Sequence, residues 1–287
     1  MSKLLFLVTE DWYFCSHRLG IARAAKARGF EVVVATRVQN HGHLMEAEGF
    51  RVIPIRMRRR FGSFWQELVS LWELIRIYRR ERPDIVHHVA LKPMLYGSLA
   101  AMITRQPAVI NAVAGLGYVF TSSSTHARLL RPFIQTLLRL LLNNKRSLLI
   151  LQNEDDRALL QDVGVVDRQH VSLIRGSGVD TQTFSPMPEP EGDVTVAIVS
   201  RMLWDKGVHN LVEAVLGLRS EGLKIELLLA GDPDPDNPAS ISEEQLRAWD
   251  EEPGIDWMGF VDDVRDVWSR AHIAALPSRR EGLPKGL

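Results

Sequence analysis

The sequence predicts an α/β protein with two domains, each built on a parallel sheet, and three observations support this prediction. Short aliphatic runs alternate with amphipathic segments of helical length, which is the pattern of repeated βαβ units. A stretch rich in Gly and Pro interrupts the alternation, which then restarts. The length of 287 residues is sufficient for two domains of ordinary size.

The first half contains six predicted strands separated by predicted helices. Strands buried on both faces read as continuous apolar runs rather than as alternating patterns. The strands are expected at Leu4–Val8, Glu31–Ala35, Val52–Ile55, Ile85–His88, Ala108–Ala112 and Leu148–Leu151. They define a first Rossmann-like domain over residues 1–167.

A hinge is expected over residues 168–192, because Gly176 and Gly178 are followed by three closely spaced prolines. The second Rossmann-like domain is expected over residues 193–287. Its predicted strands are Val194–Ser200, Ile225–Ala230 and Ile273–Leu276, and its predicted helices are Val208–Leu218 and Asp262–Ala271. The pattern supplies only about half of a second α/β domain, so we expect this domain to be truncated.

Composition excludes several classes of protein. A hydrophobic fraction of 46% and a charged fraction of 24% exclude a disordered chain. The single cysteine, Cys15, excludes a disulfide framework and a Cys-rich zinc site. The longest largely apolar stretch considered, Leu137–Leu142, is interrupted by Arg139 and is far too short to span a bilayer. A cytoplasmic protein is therefore expected.

The net charge of zero hides an unequal distribution of charge between the two halves of the chain. Residues 1–150 carry 22 Lys and Arg against 9 Asp and Glu, whereas residues 151–287 carry 13 against 26. A basic half of this kind can face an anionic membrane, a nucleic acid or a phosphorylated substrate.

The loop after the first strand excludes the common nucleotide-binding fingerprints. It contains neither G-x-G-x-x-G nor G-x-x-x-x-G-K-[ST], which argues against a nicotinamide or flavin enzyme and against a nucleoside triphosphatase. Ser16 is a plausible N-cap for the helix that follows. His17 and Arg18 then lie where open α/β sheets bind ligands. A surface histidine and a helix-capping arginine are the alternative interpretation.

A second cationic loop follows the first strand of the second domain. Arg201 and Lys206 lie five residues apart, just before a predicted helix. Two cations beside a helix N-terminus can bind a diphosphate, because free backbone N–H groups and the helix dipole both favour an anion. Solvated loop charges are the alternative interpretation.

Four segments together give the chain a resemblance to a known family. These are the Arg201–Lys206 loop, the run from Ala275 to Leu287, His87–Pro93, and Ile110–Phe120. They resemble retaining glycosyltransferases of family 4, in particular the capsular and O-antigen polysaccharide branch. The resemblance implies the two-domain GT-B fold. It also implies transfer of a sugar from a nucleotide diphosphate, with UDP as the expected nucleotide, to a polyprenyl-diphosphate-linked glycan at the cytoplasmic face of the membrane.

The resemblance also implies roles for individual residues. Arg201 and Lys206 would bind the donor diphosphate and Glu281, the first Glu of an E-x7-E motif, would contact the donor sugar. The second Glu would fall at position 289, beyond this chain. No metal or other cofactor is implied. The remaining donor-side candidates are Phe260, Val261, Ser278, Gly282 and Leu283, and the acceptor-side candidates are His17, Arg18, His88, Lys92, Gly115 and Gly117.

Three further patterns leave alternatives open. Asp232, Asp234 and Asp236 could form a metal-binding D-x-D motif, although the intervening prolines favour a solvated loop. Of His87 and His88, one is expected to point inward and to be packed.

The segments Arg56–Arg82 and Arg128–Arg146 mix arginines with aromatic and aliphatic residues at helical spacing. The apolar positions could face the core, but the mixture also favours binding at an anionic membrane surface. Nucleic acid is the competing partner, and no nucleic-acid-binding signature supports it. Peripheral attachment to the inner face of the cell membrane is therefore expected.

Two other functions compete with glycosyl transfer. A non-hydrolysing nucleotide-sugar 2-epimerase shares the fold. A donor-binding module without activity is the other alternative, because the E-x7-E motif is incomplete.

Overall fold

The computed structural model describes residues 1–60, 62–112, 125–235 and 237–279. The chain divides into two compact units, Met1–Ser177 and Gly178–Leu287. Each unit is built around one parallel sheet, which confirms the predicted fold class.

The first unit contains a sheet of seven strands in the order β3-β2-β1-β4-β5-β6-β7, and every neighbouring pair is parallel. The chain moves outward from β1 to β3 and then returns to place β4 on the other side of β1. The elements of this unit are β1 Lys3–Glu10, α1 Asp11–His17, α2 Leu19–Ala27, β2 Glu31–Arg37, α3 Gly42–Ala47, β3 Arg51–Pro54, α4 Phe64–Glu81, β4 Ile85–Val89, α5 Leu91–Thr104, β5 Ala108–Ala112, α6 Thr125–Leu142, β6 Ser147–Leu151, α7 Glu154–Asp162 and β7 Val171–Leu173.

Apolar packing covers both faces of this sheet. Along β1, Leu5 and Leu7 join one buried cluster, whereas Leu4, Phe6 and Val8 join another. Alternate side chains of a strand point to opposite faces, so a strand buried on both sides must be apolar throughout. This requirement explains why the strands of the first unit were readable from the sequence.

The second unit repeats the arrangement on a smaller scale. Its four parallel strands have the order β10-β9-β8-β11, so the strand order again reverses after the first strand, β8. Its elements are β8 Val194–Val199, α8 Val208–Ser220, β9 Ile225–Ala230, α9 Glu243–Asp250, β10 Ile255–Gly259, α10 Val264–Trp268 and β11 Ile273–Ala274.

Three features of the fold differ from the sequence-based expectations. The structure continues the first unit to Ser177, because β7 pairs with β6 inside the segment that was expected to be a hinge. Ser16 does not cap a helix, since α1 begins at Asp11 and includes it. Strand β10 was not predicted, because Asp256 and Gly259 break the apolar run of a short edge strand.

Helix α4 carries two apolar faces. It begins at a capping box formed by Ser63 and Gln66. One face buries Leu74, Ile77 and Tyr78 against the sheet. The opposite face leaves Phe64, Trp65, Leu68, Val69 and Trp72 exposed to solvent. Only part of the apolar pattern of this helix therefore serves the core.

A buried polar network fixes α4 and α5 to the centre of the sheet. The Tyr78 hydroxyl lies 2.8 Å from Nε2 of His88, and Nδ1 of His88 lies 2.8 Å from Oδ1 of Asn111. Because Oδ1 can only accept, His88 carries its hydrogen on Nδ1, and Tyr78 donates to Nε2. The Ser98 hydroxyl also donates to Asn111 Oδ1 at 3.0 Å. The network is satisfied internally and locks the packing of two helices on two strands.

No helix in the described part of the chain is both long enough and apolar enough to cross a bilayer.

Replacing Gly97 with Ala should destabilise the first unit, because a Cβ at this position would lie 2.6 Å from the His88 ring. Relief of such a clash requires movement of α5 or of the ring, which typically costs about 1 to 3 kcal/mol. Urea unfolding monitored by circular dichroism would measure the loss. Gly20→Ala is the matched control, because Gly20 lies in helix α2 and nothing is within 4 Å of its Cβ position. Equal stability of the two variants would contradict this packing.

Candidate active site

The chemistry-bearing residues of both units lie at the carboxyl edges of the sheets, next to the points where the strand order reverses. In open α/β sheets, the loops on the two sides of such a point diverge and leave a ligand-binding crevice. The reversal points are β1/β4 in the first unit and β8/β11 in the second.

In the second unit, the loop after β8 contains both predicted diphosphate ligands. Arg201 lies two residues after the end of the strand and is exposed, and Lys206 ends a short 3-10 turn. Gly207 then adopts a left-handed conformation with φ of 72° and forms the N-cap of α8. The two cations therefore lie in the segment that leads into a helix N-terminus, as the sequence predicted.

The loop after β11 packs directly against this cationic loop. A Cβ on Gly207 would lie 2.2 Å from the carbonyl oxygen of Pro277, so only glycine allows the approach. The backbone N–H of Arg279 also donates to the carbonyl oxygen of Asp205 at 3.1 Å. The loop after β8 and the start of the run that carries the family resemblance thus form one local site.

A carboxylate from the loop after β9 holds Arg201. Nη1 of Arg201 donates to Oδ2 of Asp234, whose backbone N–H donates to the Ser240 hydroxyl at 2.9 Å. The backbone N–H of Met202 donates to the carbonyl oxygen of Asp232 at 3.0 Å, which joins the loops after β8 and β9. The Asp-Pro repeat therefore contributes a counter-ion to Arg201. Among the described residues, no group of three or more His, Cys, Asp or Glu side chains could hold a metal ion.

Three other donor-side candidates occupy the same edge. Phe260 follows β10 and is highly exposed, and Val261 beside it is half-buried. Ser278 follows β11, and its hydroxyl is buried without a hydrogen-bond partner in the described structure. Glu281, Gly282 and Leu283 lie outside the described residues.

In the first unit, a small pocket opens at the reversal point. Arg18, from the junction of α1 and α2, lies beside His87 on β4. Both side chains are largely buried, with 6% of Arg18 and 5% of His87 exposed. The remaining lining residues are Ile21, Ala112, Ile150, Gln152, Ile174 and Gly176.

The histidine of this pocket was not among the predicted site residues. His87 stacks on Phe6 with ring centroids 5.1 Å apart. Burial, together with the charge of Arg18, lowers the pKa of His87 to about 3. Its ring is therefore neutral at physiological pH. The sequence does place a pair of histidines, His87 and His88, at the end of a strand near the first cationic loop. It could not show which of the two lines the pocket.

The structure places His88 and Lys92 in supporting roles. His88 is fully buried within the Tyr78–Asn111 network, with neither ring nitrogen available to a ligand. Lys92 is also buried, and its Nζ donates to Glu67 Oε1 and to the Arg60 carbonyl oxygen, each at 2.9 Å. Both side chains therefore contribute to packing in this structure, and their acceptor-side assignment stays a prediction.

The remaining acceptor-side candidates have different positions. His17 stacks on Tyr13 with ring centroids 4.2 Å apart. Gly115 and Gly117 lie outside the described residues.

The backbone is strained at Ala90, directly after β4. Ala90 has φ of 80° and ψ of 165°, a combination that costs a non-glycine residue about 1 to 3 kcal/mol.

Two parallel α/β units, with cationic residues at the carboxyl edges beside the reversal points, form the arrangement of the GT-B fold, and the family models identify the chain as a glycosyltransferase. The profile of the glycosyltransferase 4-like family matches residues 3–153, and that of glycosyltransferases group 1 matches residues 193–287. The chain belongs to the glycosyltransferase 4-like family, as its sequence motifs had indicated.

Individual relatives agree with this assignment. The chain is 24% identical over 280 residues to N,N'-diacetylbacillosaminyl-diphospho-undecaprenol alpha-1,3-N-acetylgalactosaminyltransferase of Campylobacter jejuni, covering 93% of this chain and 72% of that protein. It is 23% identical over 243 residues to the capsular polysaccharide biosynthesis glycosyltransferase CapM of Staphylococcus aureus, covering 80% of this chain and 61% of that protein.

Among solved structures, Anabaena Alr3699/HepE in complex with UDP and glucose shares the fold. It has a TM-score of 0.72 and 18% identity, with 98% of this chain and 76% of that chain covered.

The buried histidines should make the first unit less stable as the pH falls from 6.5 to 5. Burial lowers the pKa of His87 to about 3 and of His88 to about 4, below the ordinary value of 6.5. In this range the unfolded chain binds protons that the folded chain does not, so acidification favours unfolding by about 2 to 3 kcal/mol for the pair.

Urea unfolding at a series of pH values would measure this dependence, and His87→Gln should remove about half of it. Ring resonances of His87 and His88 should stay at their neutral positions down to pH 5. Titration of either ring near pH 6.5 would contradict the buried geometry.

Proposed function

We propose that the protein is a retaining, metal-independent glycosyltransferase that moves a sugar from a UDP-sugar to a polyprenyl-diphosphate-linked glycan in surface polysaccharide biosynthesis. The observation that carries the proposal is the close packing of the loop that contains Arg201 and Lys206 against the loop after β11, in a chain that belongs to this family. The activity for which the Campylobacter relative is named supports the acceptor class. UDP is the nucleotide held by the Anabaena protein of the same fold.

The cationic loop suits the departure of a nucleoside diphosphate. When the bond between the sugar and the diphosphate breaks, negative charge grows on the leaving oxygen. Arg201 and Lys206 would stabilise this charge. The backbone N–H groups at the start of α8 would add positive potential through their dipoles, with no change in protonation state. Asp234 keeps Arg201 in place before the donor arrives, so little reorganisation is needed.

The exposed face of α4 provides a surface for a lipid-linked acceptor. Trp65 is 74% exposed and Trp72 is 60% exposed, and the Arg76 guanidinium lies 5.6 Å from the Trp72 ring centroid. Arg58 and Arg60 flank the start of the helix and are exposed. An aromatic stripe bordered by arginines matches the interface of an anionic bilayer. We therefore assign the protein to the inner face of the cell membrane, without a role for nucleic acid.

The reaction can be tested with a panel of nucleotide sugars and synthetic polyprenyl-diphosphate-linked acceptors. Product formation, retention of the anomeric configuration and insensitivity to EDTA would support the proposal. Isomerisation of the free nucleotide sugar in the absence of acceptor would instead identify an epimerase. Donor binding without any transfer would identify an inactive binding module.

Arg201→Ala and Lys206→Ala should each lower turnover about a hundredfold, because the loss of one contact to a developing charge typically costs about 3 kcal/mol. The folding stability should change little, since Arg201 is exposed and Lys206 lies in a loop. Arg247→Ala is the matched control, because Arg247 is also exposed and paired with a carboxylate, Glu243, but lies on α9. Unchanged turnover in the Arg201 and Lys206 variants would refute the diphosphate site.

Trp65→Ser combined with Trp72→Ser should lower binding to phosphatidylglycerol vesicles at least tenfold, because both exposed rings lose apolar contact with the bilayer. Vesicle sedimentation would measure the change. Arg58→Ser with Arg60→Ser should instead reduce the dependence of binding on salt. Leu223→Ser, an exposed apolar position in the second unit, is the control. Equal binding by all variants would exclude α4 as the membrane contact.

A further inference from the structure

The side chain of Arg18 is a buried cation without a counter-ion in its own unit. Only 6% of the residue is exposed, and its Nε is buried without a hydrogen-bond partner. Among the described residues of this unit, no carboxylate forms an ion pair with it. The undescribed parts of the unit, Phe61 and residues 113–124, contain no Asp or Glu.

Nearby carboxylates of the first unit have other partners. Glu10, at the end of β1, pairs with Arg37 at 2.7 Å. Asp11 accepts hydrogen bonds from the backbone N–H groups of Trp12, Gln39 and His41. Both acidic side chains closest to Arg18 in sequence are therefore committed to local structure.

His87, which lines the same pocket, carries a second polar atom without a partner. Nε2 of His87 is buried without a hydrogen-bond partner in the described structure. Because the ring is neutral, it can donate from Nε2 in the tautomer that carries its hydrogen there. A buried charge that is left uncompensated is strongly unfavourable, so the arrangement is suited to an anion that enters the pocket.

We propose that Arg18 and His87 form a buried anion site in the first unit, which binds a phosphate-type group of the acceptor substrate. The planar guanidinium can donate to phosphate oxygens in a forked geometry, and His87 adds a directed hydrogen bond. The residues that line this site belong to the first unit, whereas Arg201 and Lys206 belong to the second. The assignment of the anion to the acceptor diphosphate rests on the proposed function, whereas the anion site itself does not.

Thermal unfolding with inorganic pyrophosphate tests the site directly. The experiment uses the 287-residue chain carrying Arg201→Ala and Lys206→Ala, which removes the cations of the donor site. Pyrophosphate should raise the unfolding temperature of the first unit by several degrees relative to sodium chloride at the same ionic strength, because a ligand of the folded state stabilises it.

Arg18→Met should abolish this rise, and without pyrophosphate it should unfold at the same or a higher temperature, because an uncompensated buried charge is removed. Arg28→Met is the matched control, since Arg28 is exposed at the end of α2, and it should retain the full response. Arg18→Lys keeps the charge without the forked geometry and should retain a weaker response. The anion site would be overturned if the parent chain showed no rise in unfolding temperature, or if Arg18→Met showed the full rise. If Arg18→Met does not fold, Arg18→Gln replaces it, and a full rise in that variant would overturn the site.

Two further ligands test whether the bound anion belongs to the acceptor or to the donor. Geranyl diphosphate represents the acceptor diphosphate, and UDP represents the donor. An Arg18-dependent response to geranyl diphosphate supports the acceptor assignment, whereas an Arg18-dependent response to UDP alone overturns it. These binding readouts do not require sugar transfer, so failure of the proposed reaction would leave the anion site intact, and transfer without Arg18-dependent binding would defeat this inference alone.

Discussion

The reversal of strand order in each parallel sheet is the constraint on which the remaining structure depends. A parallel sheet covered by helices on both faces offers few openings, because almost every loop returns over a neighbouring strand. At β1/β4 and β8/β11 the connections leave in opposite directions, and the carboxyl edge stays open. Arg18 and His87 lie at the first opening, and Arg201 and Ser278 lie at the second. The same fold therefore supplies two positions for chemistry within one chain.

The arginines at the two openings differ in exposure and in their pairing with carboxylates. Arg201 is partly exposed and has Asp234 as a counter-ion, so its orientation is set while water still screens its charge. Arg18 is buried, and no carboxylate among the described residues of its unit forms an ion pair with it. The parts of the unit outside the described residues contain no Asp or Glu. An exposed, paired arginine can exchange its partner at little cost, whereas a buried one is specific for an anion small enough to enter. This contrast matches the roles that we propose, in which Arg201 contacts the diphosphate of the donor and Arg18 contacts an anionic group of the acceptor.

The sequence predicted most strands and the cationic loop, but not the surroundings of individual side chains. Strands such as β1 and β9 were readable because burial on both faces demands continuous apolar runs. Strand β10 was missed because an edge strand tolerates Asp256, and α1 was missed because Trp12 to Arg18 has no clear helical signal. The His87–His88 pair shows the limit most directly. Alternation along β4 places the rings on opposite faces, but both faces are buried, so only the packing of Phe6, Tyr78 and Asn111 decides which ring faces the pocket.

Two close backbone approaches in this protein differ in how they can change over evolutionary time. Gly97 lies against the His88 ring, so a larger residue there can be accommodated if a smaller side chain replaces the histidine. We expect the two positions to vary together among relatives. Gly207 lies against a carbonyl oxygen of Pro277, and a backbone atom cannot be trimmed by substitution. Gly207 has no compensating partner, so divergence at this position requires a change in the length or course of the loop that follows β11.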